Sequence, residues 1–365
     1  MGSVHPMGPL QGVRVVELAA IGPVPWAGMV LADLGADVVR VDRPGDLLGF
    51  AGDVTERGKR SVLADVKTTE GLTLIRDLAA AADVLLEGMR PGTLERLGLA
   101  PADLHAANPA LVIGRMTGWG QDGPLAPSAG HDITYVATSG VLGAIGAPGE
   151  RPMPPINLLG DYAGGSMFLL VGILAAMHHA RATGRGQVVD AAIIDGLGML
   201  AAPFHGASSI GRWGPVGENL LDGGAPFYGT YRCADGRFVA VGPIEPQFFA
   251  EFVRRLGLDI DPVNQYDPTA WPALRESLTT AFAARSQDQW SELFEGTDAC
   301  VAPVLSLADA PEHPHAVARG AFVDINGVRH AAPAPRFSRT PATIRSGPPV
   351  KGGHTEQVRA DWGLP

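Results

Sequence analysis

Four ionisable side chains, two of them adjacent, stand out for their surroundings. His131 and its neighbour Asp132 lie in AGHDITY (129–135), Asp161 in LLGDYAGG (158–165) and Glu245 in GPIEPQFF (242–249). All are acids or bases of the kind that move protons, and each adjoins glycine or proline and an apolar run. Taken singly, each also has a purely structural use. His131 fits a hydrogen-bonded core histidine, Asp161 fits a helix N-cap, and Glu245, just before Pro246, fits a carboxylate complementing a helix dipole. Their meaning depends on whether the fold brings them together.

A second group is basic. ERGKR holds Arg57, Lys59 and Arg60, with Arg43 in VDRPG and Arg90 in EGMRPG. Solvated surface charge explains these as well as a phosphate cradle does, since guanidinium forks match phosphate oxygens. Four methionines, Met153, Met167, Met177 and Met199, fit core packing or a soft acyl-binding surface.

Several chemistries are disfavoured. The first strand–helix turn, LAAIGPVPWAG (18–28), lacks G-x-G-x-x-G spacing, and Pro23 and Pro25 remove amides that would bind a pyrophosphate. No CxxC, HExxH or GxSxG occurs; His178 and His179 are adjacent on a helix, and His313 and His315 sit in a proline loop, so no metal site is expected. A formal charge of -10 argues against a nucleic-acid partner. Cys233 and Cys300 are too few for a disulfide framework and read as reduced thiols. The opening MGSVHPMGPLQG is not a secretory signal, and MFLLVGILAAM (167–177) is shorter than the roughly 20 residues that span a bilayer. It reads as a buried helix. A soluble cytoplasmic protein without a membrane span is the expectation.

The elements that must position these groups are clearest at the start of the chain. VRVVEL (13–18), a helix over WAGMVLADLG and ADVVRVD (36–42) form a βαβ unit. SVLAD (61–65), ADVLLEG (82–88) and ALVIGRMTG (110–118) continue the alternation, with TTEGLTLIRDLAAA as an amphipathic helix capped near Thr68 or Thr69. A helix follows over 161–179 and a strand over 186–193. The class is therefore α/β, with a doubly wound parallel sheet. After Leu221 the texture changes: YGTYRCADGRFVAVG (228–242) is a hairpin around Ala234-Asp235-Gly236, and Pro246 opens a helix. At 365 residues two domains are expected. The boundaries are a large domain over 1–190, a linker over 191–221, a smaller α+β domain over 222–310, a proline-rich linker over 311–334 and a C-terminal segment over 335–365.

GPLQGVRVVELAAIGPVPWAGMVLADLGADVVRVDRPG, MTGWGQDGP, AGHDITY, LLGDYAGGSMFLLVGILAA, GQVVDAAIIDG, LDGGAPFYGTY and GPIEPQFF, in that order, resemble the family III CoA-transferase superfamily. Within it they are similar to the α-methylacyl-CoA racemase branch, especially bacterial members. The resemblance runs from about Gly8 to APRFSRTP. It implies an acyl-CoA thioester substrate and a Rossmann-like large domain with a small domain inserted, the C-terminal segment returning to the large one. It further implies an interlocked homodimer whose site is shared between subunits. His131 and Asp161 match the acid/base pair, with Glu245 beside the histidine from the second subunit. The CoA contacts map onto Arg43, onto Ala64, Asp65, Val66 and Lys67, onto Gly88, Met89, Arg90, Pro91, Gly92 and Thr93, and onto Arg96. Gly130 and Tyr135 join them through AGHDITY.

For such an enzyme the chemistry is inversion next to a thioester. One group takes the α-proton from one face and another returns a proton to the opposite face, through an enolate. No metal or organic cofactor is needed, coenzyme A being part of the substrate. The amides opening the Asp161 helix are expected to stabilise the enolate oxygen, and its dipole to hold Asp161 ionised. Glu245 or Asp132 beside His131 would favour the imidazolium. The runner-up is CoA transfer, with Asp161 as nucleophile forming an acyl anhydride; a non-catalytic acyl-CoA binder is a third reading. Acyl length and α-substituent are not legible.

Overall fold

The structure is a computed structural model describing residues 8–45 and 53–365; residues 1–7, which open the polar N-terminal stretch, lie outside it. The chain forms two compact units, one comprising 1–139, 155–201 and 315–365, the other 140–154 and 202–314.

In the first unit β1 (Arg14–Leu18), α1 (Pro23–Asp33), β2 (Asp37–Asp42), β3 (Arg60–Leu63), α2 (Thr69–Ala80) and β4 (Val84–Glu87) follow in sequence. Then come α3 (Thr93–Arg96), α4 (Pro101–Ala107), β5 (Val112–Thr117), α5 (Asp132–Thr138), α6 (Met167–Thr183), β6 (Val188–Ala192) and α7 (Ile193–Leu200). The six strands lie in the order β3-β2-β1-β4-β5-β6 and every pairing is parallel. Strands buried on both faces need apolar residues, which is why β1, β2 and β4 are dominated by Val and Leu. Val16, Val39, Leu85 and Ile113 carry the central layer, with Leu74, Ile75 and Leu78 of α2 packed over it. The start of α2 is fixed by Thr68, whose Oγ1 accepts the Gly71 amide at 3.0 Å.

The strand order reverses between β1 and β4. In an open α/β sheet that switch point leaves a crevice at the carboxyl ends of the strands, where ligands bind. The turns after β1 and β4 meet there: a Cβ on Gly88 would lie 3.0 Å from Val24 and 3.2 Å from Ala20.

The second unit contains α8 (Ala202–Ser209), β7 (Gly229–Arg232), β8 (Phe238–Val241), α9 (Pro246–Leu256), α10 (Trp271–Phe282), α11 (Gln287–Phe294) and β9 (Val301–Pro303). Its sheet is antiparallel, β7-β8-β9, and the β7–β8 turn uses Gly236 at φ 82°. Its core is aromatic: Phe227, Phe249, Phe252, Phe282, Trp290 and Phe294 are buried together, and the Trp290 indole donates to the Phe282 carbonyl at 3.0 Å. The chain then forms α12 (Pro314–Ala318), a hairpin of β10 (Phe322–Ile325) and β11 (Val328–Ala331), and α13 (Thr355–Trp362). Within the first unit α13 packs on β3. Arg60 pairs with Asp361 at 2.6 Å and the Trp362 indole donates to Asp37 at 2.8 Å.

The segments expected to be linkers are structured. Residues 193–200 are α7, in the first unit, and 314–331 hold α12 and the β10–β11 hairpin. Residues 140–154, expected in the large domain, belong to the second unit.

Two further expectations change. The helix around MFLLVGILAAM is longer than its apolar core suggested: a π-helical stretch over Leu159–Ser166 runs directly into α6, which ends at Thr183, and the whole is long and apolar enough to cross a membrane by length and composition. Nor is α6 simply buried. Leu169, Leu170 and Ile173 face β5 and β6, whereas Met167, Val171 and Leu174 are 46, 61 and 40 % exposed. Of the four methionines, Met177 is core; Met153, Met167 and Met199 are exposed.

The basic knot is also turned inward. Arg57 is buried against Asp33 at 2.6 Å and donates to the Ala331 carbonyl. Lys59 is fully buried among Glu17, Glu56 and the Pro25 carbonyl. Arg60 bridges Asp37 and Asp361. None of the three is a phosphate cradle; their charges are used to hold β3 against α1, β2 and α13.

Candidate active site

Asp161 stands in an eight-residue π-helical stretch, Leu159–Ser166, that runs directly into α6. Such stretches are rare and concentrate at functional sites. Glycines let this one pack tightly: a Cβ on Gly165 would lie 3.1 Å from Ile193, 3.3 Å from the Met116 sulfur and 3.4 Å from Pro23. Ser166 secures it, donating to the Pro23 carbonyl at 2.8 Å. The Asp161 carboxylate therefore lies at the carboxyl end of β1, where a Cβ on Gly22 would come 3.2 Å from its Oδ2. Gly22 has φ 77°, so a side chain there would be both strained and in the way.

Asp161 has a partner that the sequence reading missed. Asn157 donates its Nδ2 to Asp161 Oδ2 at 3.2 Å. The signal was available, since residues four apart share a helix face.

His131 is the N-cap of α5, after the long turn that follows β5. Its amide donates to Thr134 Oγ1 at 3.0 Å, and that hydroxyl donates back to the His131 carbonyl at 2.7 Å. The ring is exposed and acts on the Asp161 carboxyl, favouring its ionised form. Burial nevertheless dominates at Asp161 and lifts its pKa above the usual carboxylate range; the charge of Asp132 adds to the rise, while Asn157 and His131 oppose it. The expectation that a helix dipole holds Asp161 ionised is thus reversed in sign. Asp161 is the third residue of its stretch and does not cap it.

A donor expected for an oxyanion is also taken. Asp132 Oδ1 accepts the Asp161 amide at 2.8 Å, and the Gly160 backbone beside that carboxylate favours its ionised form. Asp132 accordingly serves the backbone of the Asp161 turn, and among the described residues no hydrogen bond joins it to the His131 ring. Desolvation raises the Asp132 pKa as well.

Tyr135 lies beneath this pair. Its ring fills the space over Gly118 and Gly130, where a Cβ would come within 1.9 and 2.5 Å of ring atoms, and it meets Trp119 edge-on at 4.7 Å. Burial raises its hydroxyl pKa, Asp161 and Asp132 raise it further, and Arg90 lowers it. The turn after β4 is thereby linked electrostatically to the His131–Asp161 region.

The other candidate residues line the same edge of the sheet. Arg43 follows β2 and is exposed; Ala64, Asp65, Val66 and Lys67 follow β3, with Asp65 accepting the Lys67 amide at 2.9 Å. Gly88, Met89, Arg90, Pro91, Gly92 and Thr93 follow β4, closed by Gly92 at φ 77° and by Arg96 donating to Thr93 at 2.8 Å. This loop is braced from below: buried Glu87 accepts the Met89 amide at 2.6 Å and Arg115 Nε at 2.8 Å, while Arg115 also holds Glu95 at 2.8 Å. Sequence reasoning overlooked Glu87 and Arg115, which look like ordinary strand charges.

Glu245 belongs to the second unit. It is the N-cap of α9, its carbonyl accepting the Phe248 and Phe249 amides at 3.0 Å, and its side chain is exposed.

The sequence profile of CoA-transferase family III matches residues 10–355. The chain belongs to that family. Among curated relatives of this family member, mouse alpha-methylacyl-CoA racemase is 45 % identical over 361 residues, covering 97 % of this chain and 93 % of the relative. The human protein of the same name is 43 % identical over 365 residues, covering 97 and 94 %. The crystal structure of a CaiB/BaiF family protein from Brucella suis superposes with a TM-score of 0.82 at 28 % identity, covering 98 % of this chain and all of that one. The six-stranded parallel α/β fold is therefore the family fold.

Proposed function

We propose that the protein is a racemase that inverts the α-carbon of 2-methyl-branched acyl-CoA thioesters by two-base proton transfer through an enolate. The observation that carries it is the joining of the His131 and Asp161 turns, where Asp132 Oδ1, next in sequence to His131, accepts the Asp161 amide at 2.8 Å. High similarity to alpha-methylacyl-CoA racemases supports the substrate class. In one direction Asp161, ionised, takes the α-proton and protonated His131 returns one to the opposite face; in the other direction the roles exchange. With the Asp161 amide occupied, the Asp132 and Ile133 amides that open α5 beside His131 are available to donate to the enolate oxygen.

Coenzyme A lies, in this proposal, along the turns after β2, β3 and β4, and no other cofactor is used. Replacing Arg115 by Met should loosen the 88–93 turn and weaken CoA binding roughly tenfold, the loss of a charge-assisted hydrogen bond. Calorimetric titration with CoA checks this, and unchanged affinity would dissociate that turn from the binding site.

The family's other chemistry would use Asp161 as a nucleophile on the thioester. In heavy water, without any acceptor acid, a 2-methylacyl-CoA should incorporate deuterium at its α-carbon. Exchange that required a second carboxylic acid would reject the racemase in favour of transfer. We further propose a cytoplasmic homodimer with no membrane span, in which Glu245 supports His131. The apolar stripe of Met167, Val171 and Leu174 on α6 is the kind of surface a second copy covers. Sedimentation at micromolar concentration should give twice the 38.0 kDa chain mass; a monomer would overturn it.

A further inference from the structure

We infer that Asp132 is a positioning residue that clamps the Asp161 turn to the His131 turn, so fixing the separation of the two bases. This rests on the two-base reading and deepens it.

The clamp is visible in the packing of Asp132 on the Asp161 turn. The carboxylate accepts the amide of Asp161 at 2.8 Å. It sits so close to Gly160 that a Cβ there would come 2.2 Å from Oδ1. Any other residue at 160 would push the carboxylate off the Asp161 amide. Gly160 is thus the counterpart of Asp132: one supplies the acceptor and the other the room.

The turn that is held needs holding. It follows Ile156, a β-branched residue at φ 51°, and Asn157, whose backbone is non-helical between two helical stretches. Its own form is π-helical, and the first amides of a helical stretch have no acceptor within it. Asp132 supplies that acceptor from a different element, 29 positions away in sequence.

The chain of links is short. Adjacent Cα atoms are about 3.8 Å apart, so His131 is one fixed step from the residue whose carboxylate grips the Asp161 backbone. Motion of either turn moves the other. A base displaced by about 1 Å can cost a reaction of this kind about 10²-fold. The groups facing the clamp are Asp161 and Tyr135, with His131 and Arg90 acting on those two, so the charge of Asp132 also bears on proton affinity at Asp161.

The test compares Asp132→Ala and Asp132→Asn with the unaltered chain in α-proton exchange in heavy water. Alanine removes the bond to the Asp161 amide and should lower kcat about 10²-fold while KM for the acyl-CoA stays within about twofold. Asparagine keeps one acceptor oxygen and removes the charge; it should retain more activity and move the acid limb of the kcat profile to lower pH. A residue that merely stabilised the fold would alter thermal stability and KM together and leave that limb in place, and this result overturns the inference. So does Asp132→Ala exchanging at the normal rate. Should the unaltered chain show no exchange, the racemase reading fails separately. The same two variants are then assayed for CoA transfer, which also depends on where Asp161 stands; undiminished transfer would reject the clamp.

Discussion

Replacing His131 by Ala, or Asp161 by Asn, should lower α-proton exchange by about 10² to 10⁴-fold, the usual contribution of a positioned acid or base, while leaving CoA affinity unchanged. The asymmetry of effect follows from where the groups are. Asp161 lies beside the turn after β1 and His131 opens α5 after β5, whereas the CoA-binding candidates lie along the turns after β2, β3 and β4. Asp161→Asn is the cleaner variant because the amide preserves shape and can still meet Asn157 and the space beside Gly22. Its loss of activity would report the missing proton acceptor. The pH dependence should carry a signature too. Burial raises the Asp161 pKa, so the acid limb of activity, where that carboxylate becomes protonated and ceases to accept the α-proton, should lie above the usual carboxylate range. It should vanish in Asp161→Asn. If both variants exchange at the normal rate, these residues are not the bases.

Much of the fold was legible because its signals are local. Apolar β-branched runs mark β1 and β2, Ala234-Asp235-Gly236 marks the β7–β8 turn, and Pro246 marks the first turn of α9. The six-stranded sheet emerged from strand runs alternating with helices, each confined to its own stretch of chain. His131 and Asp161 could be named through the resemblance. Their surroundings were less accessible, because hydrogen bonds across the fold leave no periodicity. Asp132 was expected to act beside its neighbour His131 and instead bonds to the backbone of residue 161. Arg57, Lys59 and Arg60 look like a surface knot because their partners lie 24, 42 and 301 positions away, at Asp33, Glu17 and Asp361. The π-helical form of Leu159–Ser166 has no residue pattern of its own; it follows from glycines packing against α1, α7 and β5.

Lys59→Met should destabilise the first unit by about 3–5 kcal/mol, the cost of leaving a buried partner charge uncompensated. The Lys59 ammonium has three protons to donate and finds three acceptors: Glu17 at 2.9 Å, Glu56 at 3.0 Å and the Pro25 carbonyl at 3.0 Å. No water can replace it, since both Lys59 and Glu17 are fully buried and α1 is pressed onto them at Gly28, where a Cβ would come 1.8 Å from Glu17 Oε2. The sign of the pH dependence distinguishes this from simple loss of packing. Burial, opposed by Lys59, pushes Glu17 up to about 7 from 4.5. A carboxyl raised in the folded state contributes stability that is full below its unfolded pKa and is lost as pH rises through the folded one. Without Lys59 the folded pKa rises further, so the variant's deficit should be small near pH 5, where Glu17 is protonated, and large near pH 8. Denaturant unfolding at the two pH values measures it, and adding Glu17→Gln to the variant should recover much of the loss at pH 8. An equal deficit at both pH values would show that Lys59 acts through its methylenes and not through its charge.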